Sequence, residues 1–148
     1  MTKTDINLGY FNAAAARAFP ENTALIDLSR SPEKIVSHGE LDLRMTSVAK
    51  LLYDVGLQAG DRLLLAMSNR FEFIEIFFGA IRAGIVPIPL NIKLGAETIS
   101  FIIEDSGCRG AIVEPACHTQ IVEIIEKHNL DTRIAVEPVP KGWHDYDA

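Results

Sequence analysis

Positive charge is in short supply in this chain of 148 residues: 14 lysines and arginines stand against 20 aspartates and glutamates, for a net charge of -6. No basic face is available to neutralise phosphates, which excludes nucleic acid as the expected partner. Cysteine is equally sparse. Cys108 and Cys117 match neither a CxxC spacing nor a zinc pattern, and two thiols make no disulfide framework, so a reduced, cytoplasmic protein is expected. The first residues, MTKTDINLGY, place Asp5 and Asn7 where a signal peptide needs an apolar core. Glu72, Glu75 and Arg82 interrupt the greasiest stretch, leaving no run of about 18 apolar residues that would span a membrane.

Phosphate-loop glycines are missing as well. GAIRAGIV has Gly79 and Gly84 at the right separation, but Ile85 and Val86 stand where lysine and serine or threonine are required. There is no GxGxxG dinucleotide fingerprint and no GxSxG nucleophile elbow. The histidines His38, His118, His128 and His144 follow no zinc-finger spacing, even with Cys117 beside His118 and Cys108 nearby. Glu72 with Glu75, and Glu104 with Asp105, read as solvent-facing or capping carboxylates. No catalytic, cofactor-binding or metal-binding residue emerges from this search.

What is present is an ordinary globular composition, 48% apolar and 23% charged, enough for one domain with a real core. A first helix is predicted over Leu8–Ala18, ended by Pro20. TALIDL (Thr23–Leu28) and EKIVSH (Glu33–His38) read as a hairpin. Ser37 and Glu40 form a capping box before a helix whose inner face is Leu41, Met45, Val48, Leu52 and Val55, closed by Gly56.

From Asp61 onward strands and helices alternate. DRLLLAM (Asp61–Met67) reads as a strand covered on both faces. Asn69 is the expected cap of a helix over Arg70–Ala83, with Ile74, Phe77, Phe78 and Ile81 inward. A strand at IVPIPL (Ile85–Leu90), a helix over Ala96–Asp105 and a strand at Arg109–Glu114 follow. A helix from Pro115 to Lys127 and a strand at Arg133–Glu137 complete the series. The fold class is therefore α/β, a mostly parallel sheet with flanking helices and an N-terminal hairpin. Residues 1–136 form the folded segment, and the proline-containing polar tail 137–148 is an expected exposed linker.

Pro87 and Pro89 lie two apart within IVPIPL, so their missing N–H groups point the same way. That side cannot be a sheet interior, and an edge strand is predicted. By the open-sheet rule, any ligand belongs beyond the carboxyl ends of the strands, near Ser68-Asn69, Asn91–Lys93 or Glu114.

The order of these segments resembles the adenylate-forming acyl-CoA synthetases, the AMP-binding ligase superfamily that includes luciferases and peptide-synthetase adenylation domains. The stretches that carry the resemblance are FPENTALID (Phe19–Asp27), VSHGELDLR (Val36–Arg44) and VGLQAGDRLLLAMSNRFEF (Val55–Phe73). They continue through IRAGIVPIPLNIKLGAETISFIIEDSGCRGAIVE (Ile81–Glu114). His38 stands where the family usually has tyrosine or tryptophan, and Gly95-Ala96 replace a Thr-Pro helix start, weakening that start by about 1 kcal/mol.

The resemblance implies an incomplete portion of a larger AMP-binding ligase fold. Its parent would be an ATP-dependent acid–CoA ligase using ATP, Mg and CoA. The family's Gly-rich phosphate loop, adenine site and C-terminal lysine domain have no counterpart in these residues, so no family site residue is carried over and the chain alone is expected to be inactive. The implied partner is the remainder of the parent ligase, with self-association through apolar surface left uncovered. A self-contained, non-catalytic α/β binding or interaction module is the alternative, and a small flavodoxin-like nucleotide binder a third.

Overall fold

The computed structural model describes residues 7–114 and 119–148. The chain divides into two compact units, one formed by Met1–Ala59 with Asn69–Ile85 and the other by Gly60–Ser68 with Val86–Ala148.

The first unit contains a 3₁₀ turn at Leu8–Tyr10 and helix α1 at Ala13–Ala18, followed by the antiparallel pair β1 (Thr23–Asp27) and β2 (Lys34–Ser37). Helices α2 (His38–Asp54) and α3 (Phe71–Arg82) complete it. The single first helix expected from Leu8 is interrupted, because Asn12 is drawn into tertiary bonds. Its Nδ2 donates to the His38 carbonyl at 2.8 Å, and its Oδ1 lies 2.6 Å from His38 Nδ1. In α2 the sequence reading is borne out for the Ser37 cap and four of the five inner-face residues, while Val55 is the half-buried C-cap. Ser37 Oγ accepts from the Glu40 amide at 3.2 Å, Leu41, Met45, Val48 and Leu52 are buried, and Gly56 takes a φ of 95° just past the end.

Helix α3 departs from expectation in two ways. Its cap is not Asn69, which is exposed; Arg70 occupies the N-cap position and offers no side-chain cap bond. Asp27 supplies it instead, with Oδ2 accepting from the Phe71 amide at 3.2 Å. The buried face also differs. Ile74, Phe77, Phe78 and Ile81 are only half-buried, while Glu72, Glu75, Ile76, Gly79, Ala80 and Arg82 are buried. The reason is close packing on α2: a methyl group on Gly79 would lie 2.6 Å from Val48 Cβ. The chain turns its smallest residues to the neighbouring helix, Phe71 is buried at the helix start, and Phe77 and Phe78 are left half-buried.

The second unit is a sheet in the order β4-β3-β5-β6-β7, with every adjacent pair parallel. Its strands are β3 (Arg62–Ala66), β4 (Val86–Pro89), β5 (Gly110–Val113), β6 (Thr132–Ala135) and β7 (His144–Asp145). Helices α4 (Ala96–Ser106) and α5 (Thr119–Lys127) pack with it around Leu64, Ala66, Ile99, Ile103, Ala111, Val113, Ile121, Ile124 and Ile125. The predicted helix start at Pro115 lies outside the described residues. Leu63, Leu64, Leu65 and Ala66 are all fully buried, as an uninterrupted apolar strand requires. The α/β class is borne out.

The two prolines are explained by register. β4 is the edge strand; the amides of Val86 and Leu90 donate to the carbonyls of Asp61 and Leu65 at 2.8 and 2.9 Å. Direction alternates along a strand, so positions 87 and 89 face away from β3, where no donor is needed. Proline there closes the edge to further strands.

The tail corrects an expectation. Residues 137–148 are not a free linker: β7 pairs with β6, the Tyr146 amide donates to the Ala135 carbonyl at 2.9 Å, and Trp143 is only 8% exposed. The indole also donates through Nε1 to Glu126 Oε1 at 3.3 Å. Burial of one large ring outweighs the polar residues around it.

Candidate functional site

The positions expected to lie near the carboxyl ends of the strands separate in the structure. Ser68 and Glu114 meet: Glu114 Oε2 accepts from the Ser68 amide at 3.1 Å and from its hydroxyl at 2.7 Å. Glu114 is 8% exposed and follows β5, while Ser68 follows β3, its neighbour in the sheet. The pair ties the two strand ends together. Asn91 is turned to its own loop, where Oδ1 accepts from the Lys93 amide at 3.0 Å, and Lys93 is exposed.

The first unit contains a cleft of about 410 Å³ between β1 with its following turn and the start of α3. Leu25, Ile26, Leu28, Phe71, Phe73 and Ile74 form its apolar wall, and Asp27, Ser29, Asn69 and Arg70 its polar end. The polar end is satisfied internally. Asp27 Oδ1 accepts from the Ser29 amide and hydroxyl at 2.9 and 2.6 Å, while Oδ2 takes the Phe71 amide. The Ser29 hydroxyl is the main cause holding the Asp27 carboxyl below its ordinary value, against the opposing pull of burial. Burial pushes Glu72 upward, but hydrogen bonding from Arg70 and the charges of Arg70 and Arg30 outweigh it, leaving this carboxyl lowered too. Arg70 Nε donates to Glu72 Oε2 at 2.6 Å, and Arg30 pairs with the other oxygen.

Glu72 and Glu75 are thus not solvent-facing, as the sequence suggested. Glu75 is fully buried and paired with Arg44 through both carboxylate oxygens. Arg82, also buried, donates to the Gly9 carbonyl, to the Asp42 carbonyl and carboxylate and to Thr46 Oγ1, and its guanidinium lies 4.5 Å from the centre of the Tyr10 ring. These groups hold helices together. A signal for them did exist: charges recurring inside the most apolar helix are either exposed or paired, and a helix with apolar residues on every side leaves little that can be exposed.

Among the described residues, His38 and His128 are engaged in local contacts: His38 bonds Asn12, and His128 Nδ1 is 3.9 Å from Glu104 Oε1. Cys108 is buried, and burial raises its thiol pKa. Cys117 and His118 lie outside the described residues. Among the described residues no three histidine, cysteine, aspartate or glutamate side chains converge as a metal site would need.

The sequence of residues 12–147 matches the AMP-binding enzyme family. Among curated relatives, the chain is 31% identical over 106 residues to the long-chain-fatty-acid–CoA ligase FadD13 of Mycobacterium tuberculosis, covering 72% of this chain and 21% of that protein. It is 32% identical over 114 residues to the 4-hydroxybenzoate–CoA/benzoate–CoA ligase of Rhodopseudomonas palustris, covering 74% and 20%. The chain therefore spans about a fifth of the length of the curated relatives it matches. Among solved structures, the N-terminal domain of FACL13 from Mycobacterium tuberculosis superposes with a TM-score of 0.76 at 27% identity, over 95% of this chain and 34% of that one. Coronafacic acid ligase from Pectobacterium brasiliense shares the fold, with a TM-score of 0.85 at 21% identity, over 96% of this chain and 28% of its own. A match of this extent, on a sheet and helices in the same order, shows that the chain belongs to the AMP-binding enzyme family and corresponds to an N-terminal part of its fold.

Proposed function

We propose that these residues are the N-terminal segment of an ATP-dependent acid–CoA ligase. The parent would join a carboxylate to ATP, releasing pyrophosphate and forming an acyl-adenylate. The thiol of CoA would then attack the acyl carbon, with AMP leaving and a thioester remaining. The observation that carries this reading is the family match over residues 12–147, alongside relatives at 31 and 32% identity that are themselves acid–CoA ligases. Ligation in the cytoplasm, where ATP and CoA are pooled, is part of the same reading.

The segment's own role is scaffolding. Its buried charged groups Glu75, Arg82 and Glu114 are engaged in helix and strand contacts, and the described residues offer Mg²⁺ no cluster of ligands. No step of adenylation is assigned to them, and the segment alone is proposed to be inactive. The folded segment, placed at residues 1–136 by the sequence, is proposed to run on through β7, because Trp143 and β7 join the second unit. Its partner is the remainder of the ligase, and its uncovered apolar side chains make it prone to self-association when isolated.

A pyrophosphate-release assay with ATP, Mg²⁺, CoA and a panel of aliphatic and aromatic acids tests this. The full-length ligase releases pyrophosphate with at least one acid, and the 148-residue chain with none. Release by the short chain would overturn the assignment of inactivity. A full-length protein inert toward every acid would count against the ligase reading.

A further inference from the structure

A strand with one buried face normally turns polar residues outward, and the hairpin in the first unit does not. Its inner face is conventional: Val36 is fully buried beside Leu41, Met45 and Phe71, with Leu25 packed against them. Lys34 is also turned inward, its Nζ lying 4.1 Å from the centre of the Phe71 ring. The opposite face carries Ile26 and Ile35, which are direct cross-strand partners, 50% and 56% exposed. Leu28, just past β1, is 77% exposed. Both faces of this two-stranded ribbon are thus apolar, a pattern suited to burial on both sides.

The same strand forms one wall of the 410 Å³ cleft, so Ile26 and Leu28 continue into the apolar surface of Phe73 and Ile74. Edge protection differs between the two units as well. β4 has prolines at both outward positions, whereas the paired segments of β1 and β2 contain none. An apolar ribbon with its prolines confined to the turn, at Pro32, is built to receive another element rather than to repel one.

We propose that the outer face of the hairpin, with the adjoining cleft, is a docking surface for an apolar strand or helix supplied by the parent ligase outside these 148 residues. This rests on the reading of the chain as an N-terminal ligase segment. The occupant is chosen from polypeptide length. The chain covers only 34% of the solved N-terminal domain it resembles, so about two thirds of that single domain is further polypeptide. A second copy of this chain would compete for the same face only while that polypeptide is absent.

The test places a cysteine on the face, Leu28→Cys, in the 148-residue chain and in the full-length ligase, and follows maleimide labelling of the peptide containing residue 28 by mass spectrometry. Labelling in the full-length protein is expected to be at least tenfold slower than in the short chain. The short chain is labelled at a dilution at which its rate no longer depends on concentration, and rates within twofold of each other there overturn the proposal. A second variant guards against misfolding. Ile35→Lys leaves the melting temperature of the short chain unchanged, because the side chain is exposed there, and lowers that of the full-length ligase. An equal effect in both contradicts the inference. Pyrophosphate release by the full-length ligase is measured on the same samples. Activity with an open hairpin face sinks only the docking surface, whereas protection without activity sinks only the ligase reading.

Discussion

Gly79 is the residue at which helix propensity and packing make opposite predictions. Replacing an interior helical glycine by alanine stabilises a helix by about 1 kcal/mol, because the glycine backbone loses more freedom on folding. Here the added methyl would lie 2.6 Å from both Val48 Cβ and Cγ1, and 2.9 Å from the Met45 carbonyl oxygen. Ordinary contact begins near 3.4 Å, so α3 would have to withdraw from α2 by most of an ångström. The interface that must open contains Met45, Val48, Ile76 and Ala80, all buried. Overpacking of this kind costs about 1–3 kcal/mol. With three overlaps, one of them on backbone, the upper end applies, and about 3 less about 1 leaves Gly79→Ala destabilising by about 2 kcal/mol. At a urea slope of about 2 kcal/mol/M, the unfolding midpoint falls by about 1 M. Val48→Ala removes Cγ1 but keeps Cβ, so Gly79→Ala in that background should cost about 1 kcal/mol less. A midpoint that rises on Gly79→Ala, or a double variant whose losses simply add, would show that close approach is not why glycine stands here.

Asp27 and Glu72 have folded-state carboxyls lowered from their ordinary values, so each contributes stability above the unfolded-state carboxylate pKa and loses it as pH falls through the folded value. The chain should therefore weaken below about pH 4. Asp27→Asn should lower the neutral-pH stability by about 1–2 kcal/mol and flatten the acid limb, and a titration of Tm against pH with an unchanged slope would refute that. Replacing both edge prolines, Pro87→Val with Pro89→Val, opens two outward donors. Light scattering should then show concentration-dependent association, and a variant as monodisperse as the parent would argue against edge protection. Trp143 is the only tryptophan and is buried, so its emission should be blue-shifted in the folded chain, and Trp143→Ala should cost about 3–5 kcal/mol. A red, solvent-like emission would mean that the tail is undocked.

The fold was legible wherever local pattern and tertiary burial agree. Ser37 and Glu40 with the spacing of Leu41, Met45, Val48 and Leu52 define α2, and the run Leu63–Ala66 defines a strand with no wet face. Periodicity misplaced the inner face of α3, because the largest side chains are not the ones that fit against a neighbour approaching to glycine distance. The Thr-Pro replacement before α4 was overpriced for a related reason. Gly95 itself takes the N-cap position with an extended backbone, and glycine there is only a few tenths of a kcal/mol worse than serine. Of the positions near the strand ends, the approach of Ser68 to Glu114 is set by β3 and β5 being neighbours, which their 46-residue separation in sequence conceals.

Alternation of strand and helix, caps written in adjacent residues and prolines at every second place are all short-range facts, and they sufficed for the α/β class and for an edge at Ile85–Leu90. The partners of Glu75, Arg82 and Asp27 lie 31, 40 and 44 residues away, and Trp143 reaches back 17 to Glu126. Such pairings depend on which surfaces the chain brings together once it has paid the entropy of closing those loops, and no local spacing encodes that outcome.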